Sequence, residues 1–292
     1  MLDKIPLPEL RKAAEELSER YRTGKKPYLT EERHYYAYLA VRFPATLAAI
    51  TRVLQEARAF PIESMLDLGA GPGTGWIAAR SIFPHLKTGT MIEADPRFIK
   101  IGKEQVEDPI VWKEARLPCA LEPHDLVLLS YSLGEMPQAD KVVEDAWRAA
   151  KKILVLIEPG TPAGYTRIIR MRTWLLSQGA SIVAPCPHEL PCPMQGSDWC
   201  HFPARVERSK LHRQLKSGTL GFEDEKFSYL IVCKEKRPPL GARLVAPPKI
   251  GKGHVQMTLC TEGKIVQKTV TQKEKEIYKR SRKLSWGDKN SK

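Results

Sequence analysis

The chain has 292 residues, 42% of them apolar, and a net charge of +13 at pH 7, enough apolar matter for one large domain with extensions. Composition offers no apolar run of the ~20 residues that a membrane span needs, and the opening "MLDKIPLPELRKAAEELSER" has no apolar leader, so the expectation is a cytoplasmic chain without membrane contact. Six cysteines are too few for a secreted disulfide scaffold and are expected to be reduced thiols.

Residues 1–60 read as an N-terminal helical region. "PLPELRKAAEELSERYR" repeats apolar residues at three- and four-residue spacing, and "TEERHYYAYLAVRFPATLAAITRVLQEARAF" predicts two helical runs joined near Pro44. The region is expected to form a helical cap on the domain C-terminal to it.

The period changes at residue 64. "SMLDLGAG", "TGTMIEAD", "HDLVLLSYSL" and "KKILVLIEPG" read as strands, and "TGWIAARSIF", "PRFIKIGKEQVE", "ADKVVEDAWRAA" and "YTRIIRMRTWLLSQG" as the helices between them. Alternation of this kind demands crossover connections, hence an α/β domain over 61–236 with a doubly wound, parallel sheet. "SIVAP" and "KFSYLIVCKE" supply a sixth and a seventh strand. Between them lies a cysteine-rich insertion, 185–225, ending in a helix predicted over "ARVERSKLHRQLKSG". That helix carries Arg205, Arg208, Lys210, Arg213 and Lys216.

Residues 237–250 form a proline-rich connector predicted to lack regular structure. The remaining 251–292 form a small basic module whose "HVQMTLC" and "KIVQKTV" alternate as strands do. From Lys234 to Lys292 there are sixteen Lys/Arg against five Asp/Glu, so +11 of the net +13 belongs to this end. A concentrated positive surface attracts polyanions, and nucleic acid is the commonest of these.

"LDLGAGPGTG" places Gly69, Gly71, Gly73 and Gly75 between a strand and a helix, where glycine lets the backbone approach a ligand and the helix N-terminus offers free N–H groups. The spacing fits neither the G-x-G-x-x-G dinucleotide fingerprint nor a P-loop. Asp67 at the strand end, the alternate glycines and Glu93 closing the next strand resemble the first motif and following acid of class I S-adenosylmethionine-dependent methyltransferases. That resemblance implies cofactor contact along Gly69, Gly71 and Gly73, with Asp67 near the amino-acid end and Glu93 toward the ribose. "SYSLGEMP" follows the fourth strand where catalytic groups of such sheets gather, so Tyr131, Ser132, Glu135 and, after the fifth strand, Glu158 are the candidate catalytic or substrate-lining residues.

Cys186, Cys192 and Cys200 sit among prolines in "CPHELPCPMQGSDWCHF", a loop with no core strand or helix to explain them. Soft thiolates suit zinc or an iron–sulfur centre. His188, His201, His212 or His254 completes a zinc set, whereas a cluster wants a fourth thiolate. Cys233 lies in the apolar "YLIVCK" and Cys119 in the distant "ARLPCALEP", leaving Cys260 of the basic module as the best fourth ligand. A metal there fastens the module to the sheet domain.

"RFPATLAAI", "LDLGAGPGTG", "CPHELPCP", "DWCHFPARVERSKLHRQLK", "EDEKFSYLIV", "GHVQMTLCT" and "YKRSRKLSWGD" together resemble the small-ribosomal-subunit methyltransferase-like family, whose bacterial members are similar to mitochondrial methyltransferase-like protein 17. The resemblance runs from about residue 34 to the C-terminus. It implies association with the small ribosomal subunit and its rRNA during assembly, a fold that holds S-adenosylmethionine, and a 4Fe-4S cluster on Cys186, Cys192, Cys200 and Cys260, with zinc as the alternative. It leaves two readings of activity: rRNA methylation, or an assembly factor that uses the fold as a scaffold.

Overall fold

A computed structural model of the chain describes residues 5–23, 28–194, 198–216, 218–239 and 241–290. Helix α1 (Leu7–Thr23) buries Leu10, Ala13, Ala14 and Leu17, one stripe at helical spacing, against Ala37, Ala40 and Val41. Those partners belong to α2 (Glu32–Ala37) and to the π-helical turn Tyr38–Arg42 that leads into α3 (Phe43–Leu54). His34, 0% exposed, ties the two layers: its Nδ1 accepts the Glu31 N–H at 3.2 Å, so its Nε2 donates to Glu16 at 2.9 Å.

The break predicted at Pro44 does not occur. Pro44 has no N–H and its ring crowds the carbonyl four residues back, and the wide π turn just ahead of it accommodates both faults without ending the helix. Glu32–Ala57 is therefore one helical run of 26 residues, long and apolar enough by composition to cross a membrane although the sequence reading found no such stretch. Its apolar side is occupied: Ala49, Ile50, Val53 and Leu54 lie in the main core against Met65, Trp76 and Leu128.

The main sheet has eight strands. Its path is β3 (Val111–Glu114), β2 (Thr88–Glu93), β1 (Ser64–Leu68), β4 (His124–Ser130), β5 (Ala150–Pro159), β8 (Phe222–Cys233) and β6 (Ser181–Ala184), with β7 (Phe202–Glu207) paired to β8. The first five run parallel, and β8 is antiparallel to both β5 and β6. A reversed strand inserted between the fifth and sixth of a doubly wound sheet is the class I methyltransferase arrangement; that fold was expected from the sequence, but the sheet was expected to be parallel and β8 corrects this. Side chains alternate across it: Leu126 and Leu128 face the layer of α3 and α4 (Thr74–Ile82), while Val127 and Leu129 face α6 (Ala139–Ala149) and α7 (Pro162–Ser177). Helix α5 (Pro96–Gln105) starts at Asp95, whose carboxylate accepts the Arg97 N–H at 2.9 Å.

Three local expectations are corrected. Residues 204–207 are strand, not helix: in β7 buried Ala204 and Val206 alternate with exposed Arg205 and Glu207, and only α8 (Lys210–Leu215) is helical. The proline-rich connector carries β9 (Ala242–Leu244) and β10 (Lys249–Gly251), because its "ARL" pairs with the module's own strands. Strand β3 went unread because "VWKE", at a sheet edge, buries too little to alternate.

The C-terminal sheet runs β10, β11 (His254–Thr261), β9, β13 (Lys289–Asn290), with β12 (Lys264–Thr271) on the other side of β11. Its small core is Leu244, Val255, Met257, Leu259 and Val270, closed by Tyr278 of α9 (Lys275–Ser281). One side chain dominates the seam with the main domain. Arg243 of β9, 2% exposed, donates to Pro185 O at 2.9 Å, to Gly287 O at 2.7 Å and to Glu56 at 2.8 Å, and Glu56 also takes Lys289 at 3.0 Å. Burial alone would raise Glu56, but Arg243 and Lys289 outweigh it and hold its carboxyl at about 2.

Candidate functional site

The glycine loop leaves β1 through three left-handed residues, Gly69, Gly71 and Gly73, with φ of +76°, +54° and +84°. Gly69 N–H and Ala70 N–H donate to Ile92 O at 2.9 and 3.0 Å, which folds the loop over the end of β2. The loop is also tight: a Cβ on Gly69 would lie 2.8 Å from the Ser132 Cβ, and one on Gly75 only 2.2 Å from the Asp67 carboxylate. Gly73 caps α4, so that helix's free N–H groups point toward the loop.

Glu93 closes β2 and reaches back. Its Oε2 accepts the Gly71 N–H at 2.8 Å, and its Oε1 accepts Ala94 and Asp95 N–H at 2.8 and 2.9 Å. A carboxylate offers about four acceptor positions, so roughly one remains, on Oε2, for a ligand hydroxyl. Asp67 is 2% exposed, and burial, with Glu93 nearby, pushes its carboxyl up to about 8.

A cleft of about 1870 Å³ opens above these residues, at the carboxyl ends of β1, β2, β4 and β5. Of the predicted cofactor residues Gly69, Gly71 and Glu93 line it, while Asp67 and Gly73 lie behind its wall. The structure brings all four catalytic candidates, Tyr131, Ser132, Glu135 and Glu158, into the same cleft. Tyr131 has φ +57°, a strained value for a residue with a bulky side chain. Its N–H donates to Ile157 O at 2.7 Å, and burial, with Glu225 next, holds its phenol protonated well above the usual range. Ser132 Oγ donates to Leu68 O at 3.1 Å and so braces the glycine loop. Glu158, 1% exposed, is raised by burial although Arg167 Nε donates to it at 2.6 Å.

Sequence reasoning missed the far wall, which the helical cap supplies. Arg42 lies 5.8 Å from the ring centroids of both Tyr21 and Tyr131 and donates to both Glu225 oxygens at 3.2 Å. Tyr35 donates to Asp95, and burial takes its hydroxyl and that of Tyr38 to about 12. The only advance signal was the amphipathic period of the helices, which marks a buried face without saying that it faces a cleft.

The cysteines form a second site on the opposite side of β8. Cys186 follows β6, Cys200 precedes β7 and Cys260 lies on β11, yet all three, with Cys192, line one apolar-walled cavity of about 30 Å³. Every cysteine is free. Cys192 Sγ is 3.3 Å from Tyr165 Oη, and Cys260 Sγ is 3.4 Å from His188 Nε2. Burial raises the Cys186 and Cys200 thiols and takes Cys260 to about 12, with the neighbouring sulfurs adding to the effect. Of the histidines weighed as ligands, only His188 lines the cavity; His201 stacks on Trp199 and His212 faces Glu223. Cys233 is fully buried in the core of the sheet, and Cys119 packs at the edge of the other layer. Among the described residues no three His, Cys, Asp or Glu side chains close on one point as the ligands of a single ion. Arg172 and Arg243, which sequence reasoning did not single out, also line the cavity.

The family model described as mitochondrial small ribosomal subunit Rsm22 matches residues 32–291. The chain belongs to the Rsm22 family. That match includes the glycine loop, the cleft's strand ends and all four cysteines, and stops short of α1. Among curated relatives, the human mitochondrial ribosome assembly protein METTL17 is 29% identical over 283 residues, covering 86% of this chain and 61% of the relative. A mitochondrial Rsm22-cox11 tandem protein of Schizosaccharomyces pombe is 25% identical over 320 residues, covering 86% of this chain and 42% of the relative. This Rsm22-family chain thus spans from under half to about three-fifths of the length of those relatives. Among solved structures, magnesium protoporphyrin IX methyltransferase from Synechocystis PCC 6803 aligns with a TM-score of 0.44 at 11% identity, over 75% of this chain and 94% of that one. A precorrin-6y C5,15-methyltransferase from Geobacter metallireducens aligns with a TM-score of 0.42 at 15% identity, over 62% and 85%.

Proposed function

We propose that this Rsm22-family chain is a small-ribosomal-subunit assembly factor that binds S-adenosylmethionine in the cleft and rRNA through its basic C-terminal module. The observation that carries the reading is the join between the two sheets. Cys260 of the basic module and Cys186, Cys192 and Cys200 of the main domain share one cavity, beside the Arg243–Glu56–Lys289 network. A metal centre there makes the basic surface and the cofactor fold one body.

For S-adenosylmethionine the fit rests on the left-handed glycine loop and on the remaining acceptor position of Glu93, which suits a ribose hydroxyl. The cofactor, when bound, supplies an electrophilic methyl group. Tyr131, Ser132, Glu135 and Glu158 then line the space where an acceptor base lies. Tyr131, protonated and strained, positions by hydrogen bonding and is not a base at neutral pH.

For the metal, four soft thiols, three from the 185–201 loop and one from β11, favour a 4Fe-4S cluster, in which each cysteine binds a different iron. Zinc on the same four thiols is the alternative.

The alternative is a factor without turnover, in which the Arg167–Glu158 and Arg42–Glu225 pairs brace the cleft wall as a scaffold. The test is a deletion strain examined two ways. Gradient profiles are expected to show precursors of the small subunit accumulating, and normal profiles would remove the assembly role. Mass spectrometry of the small-subunit rRNA then separates the readings: a missing methyl group means catalysis, and an intact modification map means a scaffold.

A further inference from the structure

Helix α7 places Ile168, Met171 and Leu175 on its buried face, and Arg172 shares that face at 3% exposure. An apolar residue is what packing alone would select there. The guanidinium Nη2 donates to His188 O at 3.0 Å and Leu190 O at 2.8 Å, and Nε is buried with no hydrogen-bond partner among the described residues. No carboxylate among the described residues pairs with it. Arg243, the second guanidinium on the cavity wall, differs in this respect, since Glu56 neutralises it at 2.8 Å.

A buried cation needs an anion, because desolvation is otherwise uncompensated. Tyr165, His188, Ser228, Tyr229 and Arg243 share the cavity wall with Arg172, but the groups there that can turn anionic at neutral pH on binding a metal are the sulfurs, Cys186 beside it and Cys192, Cys200 and Cys260 around it. As neutral thiols they give a cation little. Loaded, they become thiolates, and four thiolates outweigh the charge of either a zinc ion or an oxidised four-iron core by two negative charges.

We propose that Arg172 is the counter-ion of an anionic metal–thiolate centre on Cys186, Cys192, Cys200 and Cys260. Its charge retains the centre and raises its reduction potential, while its two hydrogen bonds to the 188–190 backbone hold the ligand loop against α7. The proposal rests on the reading that these cysteines bind metal, and it applies to zinc as well as to iron.

The test uses the full chain purified without oxygen, as wild type, Arg172→Gln, Arg172→Lys and Arg172→Met, with exposed Arg170→Gln as control. Iron, sulfide and zinc analysis of the wild type comes first and judges the metal reading by itself: no metal of either kind overturns that reading and the inference with it. Metal loss to EDTA is then timed. The inference expects loss about tenfold or more faster in Arg172→Gln and Arg172→Met, with Arg172→Lys and the control close to wild type. Where iron is present, the reduction potential should fall in the Gln and Met variants and return in Lys. A loaded wild type whose Lys variant is as impaired as Gln and Met, or whose variants leave both the loss rate and the potential unchanged, overturns the counter-ion role. Equal impairment would make Arg172 a support for the loop and nothing more.

Discussion

Gly75 has no room for a methyl group, since its Cβ would meet the Asp67 carboxylate at 2.2 Å and Leu128 at 2.7 Å. Gly75→Ala should therefore cost about 1–3 kcal/mol in thermal or denaturant unfolding, and a neutral result would mean that the loop and β1 are less tightly joined than described. Asp67 itself carries a pH signature. Its carboxyl titrates at about 8 in the fold against 3.8 outside it, so the folded chain binds the extra proton between those values. Stability associated with Asp67 is present at low pH and declines as pH rises through that window. Asp67→Asn should flatten the fall in melting temperature between about pH 5 and 8, and an identical slope in both proteins would refute the assignment.

At the scale of elements, the join between the sheets is the place to press. Glu56 has the opposite sign to Asp67: held at about 2, it stabilises above pH 4.5 and loses that contribution as pH falls toward 2. Acid should therefore release the C-terminal sheet before the main one melts, seen as early protease cleavage in the 237–290 region, with Glu56→Gln cleaved there already at neutral pH. Simultaneous cleavage of both sheets would contradict this. Cys260→Ser should likewise loosen β11 and lower the bound metal, because a centre that spans two segments couples metal to folding. Unchanged metal content and protease resistance would remove Cys260 from the ligand set.

The same elements show what a sequence discloses. The alternation of β4 and β5 with α6 and α7 was legible because their apolar periods are long, and the glycine loop because strand, glycines and acid stand in fixed order. The four cysteines were legible as a set by elimination, since soft donors among prolines have few structural reasons to be there. Arg172 and Arg243 were not legible. A cation in "IIRMRTWLL" reads as the polar side of a helix, and one in a proline-rich segment reads as solvated loop; only the fold turns both inward. For the same reason the connector was expected to be irregular, although its "ARL" is a strand of the second sheet.

At the scale of the whole molecule, +11 of the net +13 lies from Lys234 onward, at the end of the chain whose C-terminal sheet is tied to the main domain by buried ion pairs and by a cavity lined with cysteines from both. Under the proposed function, this body docks on immature small subunits through phosphate contacts. The most direct measurement is co-sedimentation of the purified, metal-loaded chain with small-subunit precursors across a salt series, beside Cys260→Ser. The expected result is association with precursors over unrelated RNA, falling steeply with salt as counterions are displaced, and weaker at every salt in the variant. Association that ignores salt, or that is equal for precursors and unrelated RNA, would contradict it.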